Sequence, residues 1–306
     1  MIRKISEILL GMLFLTGLGI LCYPTLSDQW NTYRQNQLIT TYEEAVAVLE
    51  PEDYTREWDA AQDFNRQITQ NSLYGDVFGE AGEEMEDTAY WKVLNPSGDG
   101  VMGYLSIPKI DLKLSLYHGT GEEVLQTGVG HLSGMGLPIG GSGNHSVLAA
   151  HRGLPSARLF TDIDRLYKGD LFYIHILDKV FAYEVDRILP MVDKDDLKSL
   201  GEALQAEAGG DYVTLFTCTP YGVNSHRLLV RGSRVDYNGE EEPESTPVET
   251  MLEAVQDYYM IYLVLGLSVT FLVILFLRFL LGPRKGAAER GVTGKKPGSR
   301  GRKKED

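Results

Sequence analysis

Two long apolar runs frame the chain, and short alternating runs fill the space between them. Residues 5–24 read ISEILLGMLFLTGLGILCYP and residues 258–282 read YYMIYLVLGLSVTFLVILFLRFLLG. A helix needs about 20 apolar residues to cross the hydrocarbon core of a bilayer. The second run meets this easily. Tyr258, Tyr259 and Tyr262 stand at one end, and Arg278, Arg284 and Lys285 at the other. That places an aromatic anchor outside the membrane and a basic anchor inside. The first run is shorter and follows Arg3 and Lys4. Its exit, GILCYPTLS, has no A-x-A cleavage pattern, which favours an uncleaved signal anchor over a removed signal peptide.

Residues 28–50 carry Trp30, Tyr33, Ile39, Tyr42, Val46 and Leu49 at helical spacing. Residues 52–69 do the same with Tyr54, Trp58, Ala61, Phe64 and Ile68. Pro51 separates them, so two helices, or one helix broken at Pro51, form a stalk. SLYGDVFGEAGEEMED follows, and Gly75, Gly79 and Gly82 mark it as a loop. From Met102 the period changes. YLSIPKIDLKLSLYHG alternates at Ile110, Leu112, Leu114 and Leu116, the pattern of a half-buried strand. HSVLAA, LFYIHIL, FAYEVDRIL, YVTLFT and RLLVRGSRV are further β-like runs, with short helical patterns in SARLFTDIDRL and DDLKSLGEAL. Strands joined by short Gly-rich turns, without long helices between them, predict a closed or nearly closed β-barrel. GMGLPIGGSGNH lacks the GK[ST] ending of a phosphate loop, so it reads as turns.

Charge divides the chain further. The net charge is −14, yet residues 282–306 carry +6 and residues 1–24 carry +1. The middle is therefore strongly acidic, and an acidic body excludes the clustered Lys/Arg that nucleic-acid binding needs. Both basic ends fit a cytoplasmic position, with the acidic body outside. The tail after Pro283 is Gly- and Lys/Arg-rich and reads as disordered.

Cysteine is scarce. Cys22 falls in the first apolar run and Cys218 in the body, so Cys218 has no partner for a structural disulfide except a thiol at the membrane surface. No second cysteine or paired histidine sits near Cys218 to hold zinc. Cys218 ends an apolar run just before Thr219-Pro220-Tyr221-Gly222. Two readings stay open, a buried core thiol and a nucleophile activated by a base or a cation. Of the six histidines, His118 and His131 are assigned to loops, His175 to mid-strand and His145 to the start of SVLAA. His151 and His226 are both candidate partners for Cys218, and spacing does not choose between them. Strand alternation puts Arg227, Leu229 and Arg231 on one face and His226, Leu228 and Val230 on the other. Arg227 is either a solvated charge or a guanidinium that steadies an oxyanion.

TLFTC at 214–218, followed by TPYGVNSHRLLVRG, resembles the active-site signature of sortases. AAHRGLPSARLFTDIDRLYKGD at 149–170 resembles the family's histidine segment, and MGYLSIPKIDLKLSLYHGT its first barrel strands. CTPYGVNSHR with a second apolar run near the C-terminus resembles class C, the pilin polymerases of Gram-positive bacteria. The resemblance implies a closed eight-stranded β-barrel with short helices, an N-terminal helical segment and two flanking transmembrane helices. It implies catalysis by His151, Cys218 and Arg227, with His226 a neighbour. The implied activity is transpeptidation of an LPxTG-like sorting signal through a Cys218 thioester onto a pilin lysine, with no metal or cofactor. The implied partners are pilin or surface proteins bearing such signals, and the membrane, crossed twice.

The expected organisation is a cytoplasmic N-terminus at 1–4, a signal anchor at 5–24 and a helical stalk at 25–73. A lid loop and linker occupy 74–100 and the catalytic barrel 101–238. An acidic linker at 239–257, a membrane helix at 258–282 and a basic cytoplasmic tail at 283–306 complete the chain. Wall anchoring of surface proteins, hydrolysis by a thiol protease and a non-catalytic tethered scaffold are the competing readings. Class C enzymes often carry an Asp-Pro-aromatic lid, and the matching place here reads Asp76-Val77-Phe78. By resemblance Asp76 pairs with Arg227 and Phe78 covers Cys218, although Val77 leaves φ less restricted than proline would. Replacing Asp76 or Phe78 should therefore speed labelling of Cys218 by a thiol reagent, and an unchanged labelling rate would remove the lid.

Overall fold

The structure, a computed structural model, describes residues 2–68, 89–241, 263, 264, 266–274, 276 and 278. Asp76 and Phe78 of the expected lid lie outside these residues. The chain forms two compact units, residues 1–18 with 257–306, and residues 19–256. In the first unit the Phe14 and Phe271 rings meet with centroids 4.7 Å apart.

Helix α1 spans Ile2–Ala47 and α2 spans Pro51–Gln67. The helix boundary falls at Pro51, which occupies the first turn of α2, where its missing N–H costs no hydrogen bond. Pro24, where the sequence places the end of the first apolar run, lies inside α1, which continues through it. Among the described residues α1 alone, from Leu9 onward, is long and apolar enough to cross a membrane.

Eight strands follow: β1 (Val101–Ile107), β2 (Leu112–His118), β3 (Val129–His131), β4 (Asn144–Ala149), β5 (Leu171–Ile176), β6 (Lys179–Asp193), β7 (Asp211–Thr219) and β8 (His226–Val235). They close into a barrel in the order β1-β2-β3-β4-β7-β8-β6-β5. Two short helices join them, α3 (Glu122–Thr127) and α4 (Leu197–Leu204). The β2–β3 and β4–β7 pairs are parallel and the other neighbours antiparallel. The inner core holds Leu105, Leu116, Leu148, Phe172, Tyr183, Leu215, Leu228 and Val230. On the outside, Val147, Ala149, Phe216 and Leu229 pack against Leu125 of α3 and Leu200 and Leu204 of α4.

Three expectations change. The run YLSIPKIDLKLSLYHG is two strands, because Pro108 opens a 3-10 turn and Asp111 takes φ +48°, which reverses the chain. β1 is buried on both faces instead of alternating, because Ile39, Tyr42 and Val46 of α1 cover Val101 and Tyr104. At Gly103 a Cβ would stand 2.1 Å from the His175 carbonyl oxygen, so only glycine fits. His118 and His131 are not loop residues. They end β2 and β3, and both are fully buried. His131 bonds the Tyr90 hydroxyl at 2.8 Å and the Gly136 carbonyl at 2.9 Å.

α1 is bolted to the barrel by polar side chains. The Ser115 N–H donates to Gln35 Oε1 at 2.9 Å, while Gln35 Nε2 donates to the Thr127 carbonyl. The Tyr42 hydroxyl donates to the Met102 carbonyl at 3.0 Å and accepts from the Leu177 N–H at 2.8 Å. On α2, Trp58 Nε1 donates to Asp178 Oδ1 at 2.8 Å.

Burial pushes His131 and His145 down from 6.5 to about 4. Each is neutral when folded and takes up a proton more readily when unfolded, so their contribution is complete above pH 6.5 and lost as pH falls toward 4. The melting temperature should already decline between about pH 6.5 and 5, above the ordinary carboxylate range. A flat profile across that interval in calorimetry would contradict these protonation states.

Candidate active site

Ala149 and Phe216 are the last paired residues of the parallel β4–β7 ladder. Contact between the chains continues past them. The Ala150 N–H donates to the Phe216 carbonyl at 3.3 Å, and the Thr217 hydroxyl donates to the Ala150 carbonyl at 2.7 Å. His151 lies two residues beyond Ala149, and Cys218 two beyond Phe216. Adjacent strands thus deliver the imidazole and the thiol to the same end of the barrel.

The third candidate arrives by antiparallel pairing. Arg227 is the register partner of Cys218 across β7–β8. Phe216 and Leu229 belong to the outer cluster, whereas Leu215, Leu228 and Val230 belong to the inner core. Alternation therefore puts Cys218 and Arg227 together on the outer face and His226 on the other. His226 instead pairs with Thr219, and its Nδ1 meets the Ser225 hydroxyl at 2.8 Å.

The surroundings are largely dry. Cys218 is 5% exposed and Arg227 4%. Arg227 Nη1 donates to the Asn224 carbonyl at 3.0 Å and the His226 carbonyl at 2.9 Å, which offsets part of the cost of burying a guanidinium. Asn224 adopts φ +58°, the left-handed turn that aims its carbonyl at the arginine. His151 is more open, with its Nε2 3.5 Å from Glu122 Oε2, and its carbonyl accepts from the Phe160 N–H at 3.1 Å. Neither Cys22 nor Cys218 forms a disulfide. Among the described residues no group of three or more His, Cys, Asp or Glu side chains is placed to hold a metal.

Three neighbours escaped the sequence reading: Glu122 beside His151, Arg152 immediately after it, and Thr219 immediately after Cys218. The adjacency of Arg152 to His151 in AAHRG was visible, but its direction was not. The Gly-rich segment forms turns, with Gly140, Gly141 and Gly143 at φ +71°, +122° and +79°. With Trp58, Asn65 and Phe181 it lines a pocket of about 490 Å³ at the start of β4, the opposite end of that strand from His151.

The sortase domain profile matches residues 105–235. Sortase SrtE1 of Streptomyces coelicolor is 34% identical over 151 residues, 46% of this chain and 41% of that relative, so the chain spans less than half of its length. Sortase C1 of Streptococcus agalactiae is 45% identical with a TM-score of 0.58, covering 66% of this chain and all, 100%, of the solved one. Sortase C of Streptococcus pneumoniae is 41% identical with a TM-score of 0.60, covering 67% and 100%. The chain belongs to the sortase family. Sortases are cysteine transpeptidases, and in this sortase Cys218 is the cysteine of the barrel, within the matched residues.

Proposed function

We propose that this sortase is a class C transpeptidase that joins pilin subunits through an LPxTG-like sorting signal. The observation that carries the chemistry is the meeting of Cys218, Arg227 and the His151 strand end at one rim of the barrel. The Cys218 thiolate attacks the Thr–Gly carbonyl, and the protonated His151 gives its proton to the leaving glycine amine as the C–N bond breaks. Arg227, held by two backbone carbonyls, stabilises the oxyanion of the tetrahedral intermediate. A neutral lysine amine of the next subunit then attacks the thioester. His151 takes the proton, the Cys218 thiolate leaves and an isopeptide bond remains.

Pilin as substrate draws support from the sortase C neighbours, one of whose structures bears on pilin substrate specificity. The membrane reading draws support from the apolar start of α1 and from the apolar run at 258–282. Together with the basic ends, they favour a two-pass protein with its barrel outside the cell and both termini in the cytoplasm.

Incubation with pilins bearing sorting signals should give SDS-stable ladders, and Cys218→Ala should abolish both ladders and thioester. His151→Ala should lower turnover about 10²- to 10⁴-fold, the usual span for a general acid–base. His226→Ala should stay within about threefold, since His226 lies on the face of β8 opposite Cys218 and takes no part in the chemistry. Turnover retained in Cys218→Ala, or a larger loss in His226→Ala than in His151→Ala, would contradict this assignment.

A further inference from the structure

We propose that Arg152 is a positioning residue that fixes His151 beside Cys218, acting through the Thr219 hydroxyl. This deepens the transpeptidase reading and rests on it for the roles of His151 and Cys218. The Arg152 side chain is 9% exposed, unusual burial for a guanidinium outside the reacting groups. Its Nε donates to the Thr161 carbonyl at 3.1 Å, and its Nη1 donates to Thr219 Oγ1 at 3.2 Å. Its Nη2 is ion-paired with Asp164. Thr161 and Asp164 belong to the 3-10 segment Leu159–Arg165, so the guanidinium links that segment to the end of β7.

The placement of these bonds gives them their effect. The regular β4–β7 ladder ends at Ala149 and Phe216, with the Ala150 N–H still on the Phe216 carbonyl, before either reactive residue. Beyond that point, side chains add to the hold on the register. Thr217 bonds Ala150, and Thr219 accepts from Arg152. Those four residues flank His151 on one chain and Cys218 on the other. Thr217 and Thr219 share one face of β7, and Cys218 between them points to the opposite face. The clamp therefore occupies the side away from the reaction and leaves the thiol and imidazole unobstructed. The backbone past His151 is held as well. The Gly153 N–H donates to the Thr161 hydroxyl at 3.2 Å, and Gly153, at φ +80°, lies under the Tyr221 ring. A planar guanidinium reaches three acceptors in fixed directions, whereas a lysine ammonium offers a single point.

The test uses the full chain in detergent, with two readouts. One is kcat and KM for acylation by a fluorogenic LPxTG-type peptide, and the other is the rate of Cys218 alkylation by iodoacetamide. Thr219→Val removes the acceptor at nearly constant volume, and Arg152→Lys removes the fork. Each should lower kcat about ten- to a hundredfold, the effect of a small misplacement of catalytic groups, with KM within about twofold. Each should slow alkylation in parallel with His151→Ala, and Thr219→Ser should restore both. If the peptide is not turned over but alkylation follows this order, the proposed activity fails and the positioning role stands. Wild-type alkylation in Thr219→Val, or a loss that Thr219→Ser does not rescue, overturns the positioning role whatever the peptide does.

Discussion

The structure depends on the parallel pairing of β4 with β7. These strands are distant in sequence, and the placing of His151 beside Cys218 follows from their alignment. Ala149 opposite Phe216 fixes how far each chain has travelled when it reaches the rim. The second residue past each is the proposed base on one strand and the nucleophile on the other. The β7–β8 pairing then adds Arg227 at no further cost in topology, because it is the antiparallel register partner of Cys218. A slip of one residue in either ladder would turn the thiol or the guanidinium to the opposite face. The closed barrel resists such slips. Its inner positions are mostly apolar, whereas the outer face of β4, β7 and β8 is sealed by α3 and α4.

The helices at the start of the chain bear on this region through buried polar contacts. Gln35 is 1% exposed, and its amide satisfies the Ser115 N–H and the Thr127 carbonyl where β2 and β3 run parallel. An unpaired buried donor or acceptor costs about 1–3 kcal/mol. Removing Gln35 would therefore leave the Ser115 N–H without this acceptor and the Thr127 carbonyl, at the end of α3, without this donor, and the first residue of α3 is the Glu122 that meets His151. Tyr42 and Trp58 repeat the arrangement along α1 and α2, each burying a ring while its polar atom finds a partner. The helical segment that carries Gln35, Tyr42 and Trp58 is thus part of the barrel's outer wall.

Much of this was legible in the sequence, and the failures have physical causes. The alternation of Arg227 against His226 needs only one regular strand, and the structure places both as the alternation predicts. The break at Pro51 and the strand character of the runs after residue 140 also follow from local chemistry. Local pattern could not reveal which histidine meets Cys218, because that relation lies in pairing between distant strands. It also missed β3 and α3, of three and six residues, too short to display a period. His118 and His131 looked like loop residues because their strands end at Gly-rich connections. The clamp on Arg152 was hidden more deeply. It exists only because a loop and a strand end, far apart in the chain, are brought side by side.

The central claim is that His151 and Cys218 stand side by side across β4 and β7, and a cross-link tests it most directly. Neighbouring strands lie about 4.8 Å apart, within the Cα separation of about 4.4–6.8 Å that a disulfide spans. In a Cys22→Ser background, His151→Cys should oxidise readily to a bridge with Cys218, seen as one linked peptide pair by mass spectrometry and reversed by reductant. Two thiols that both remain open to alkylation after oxidation would contradict the alignment on which the site depends.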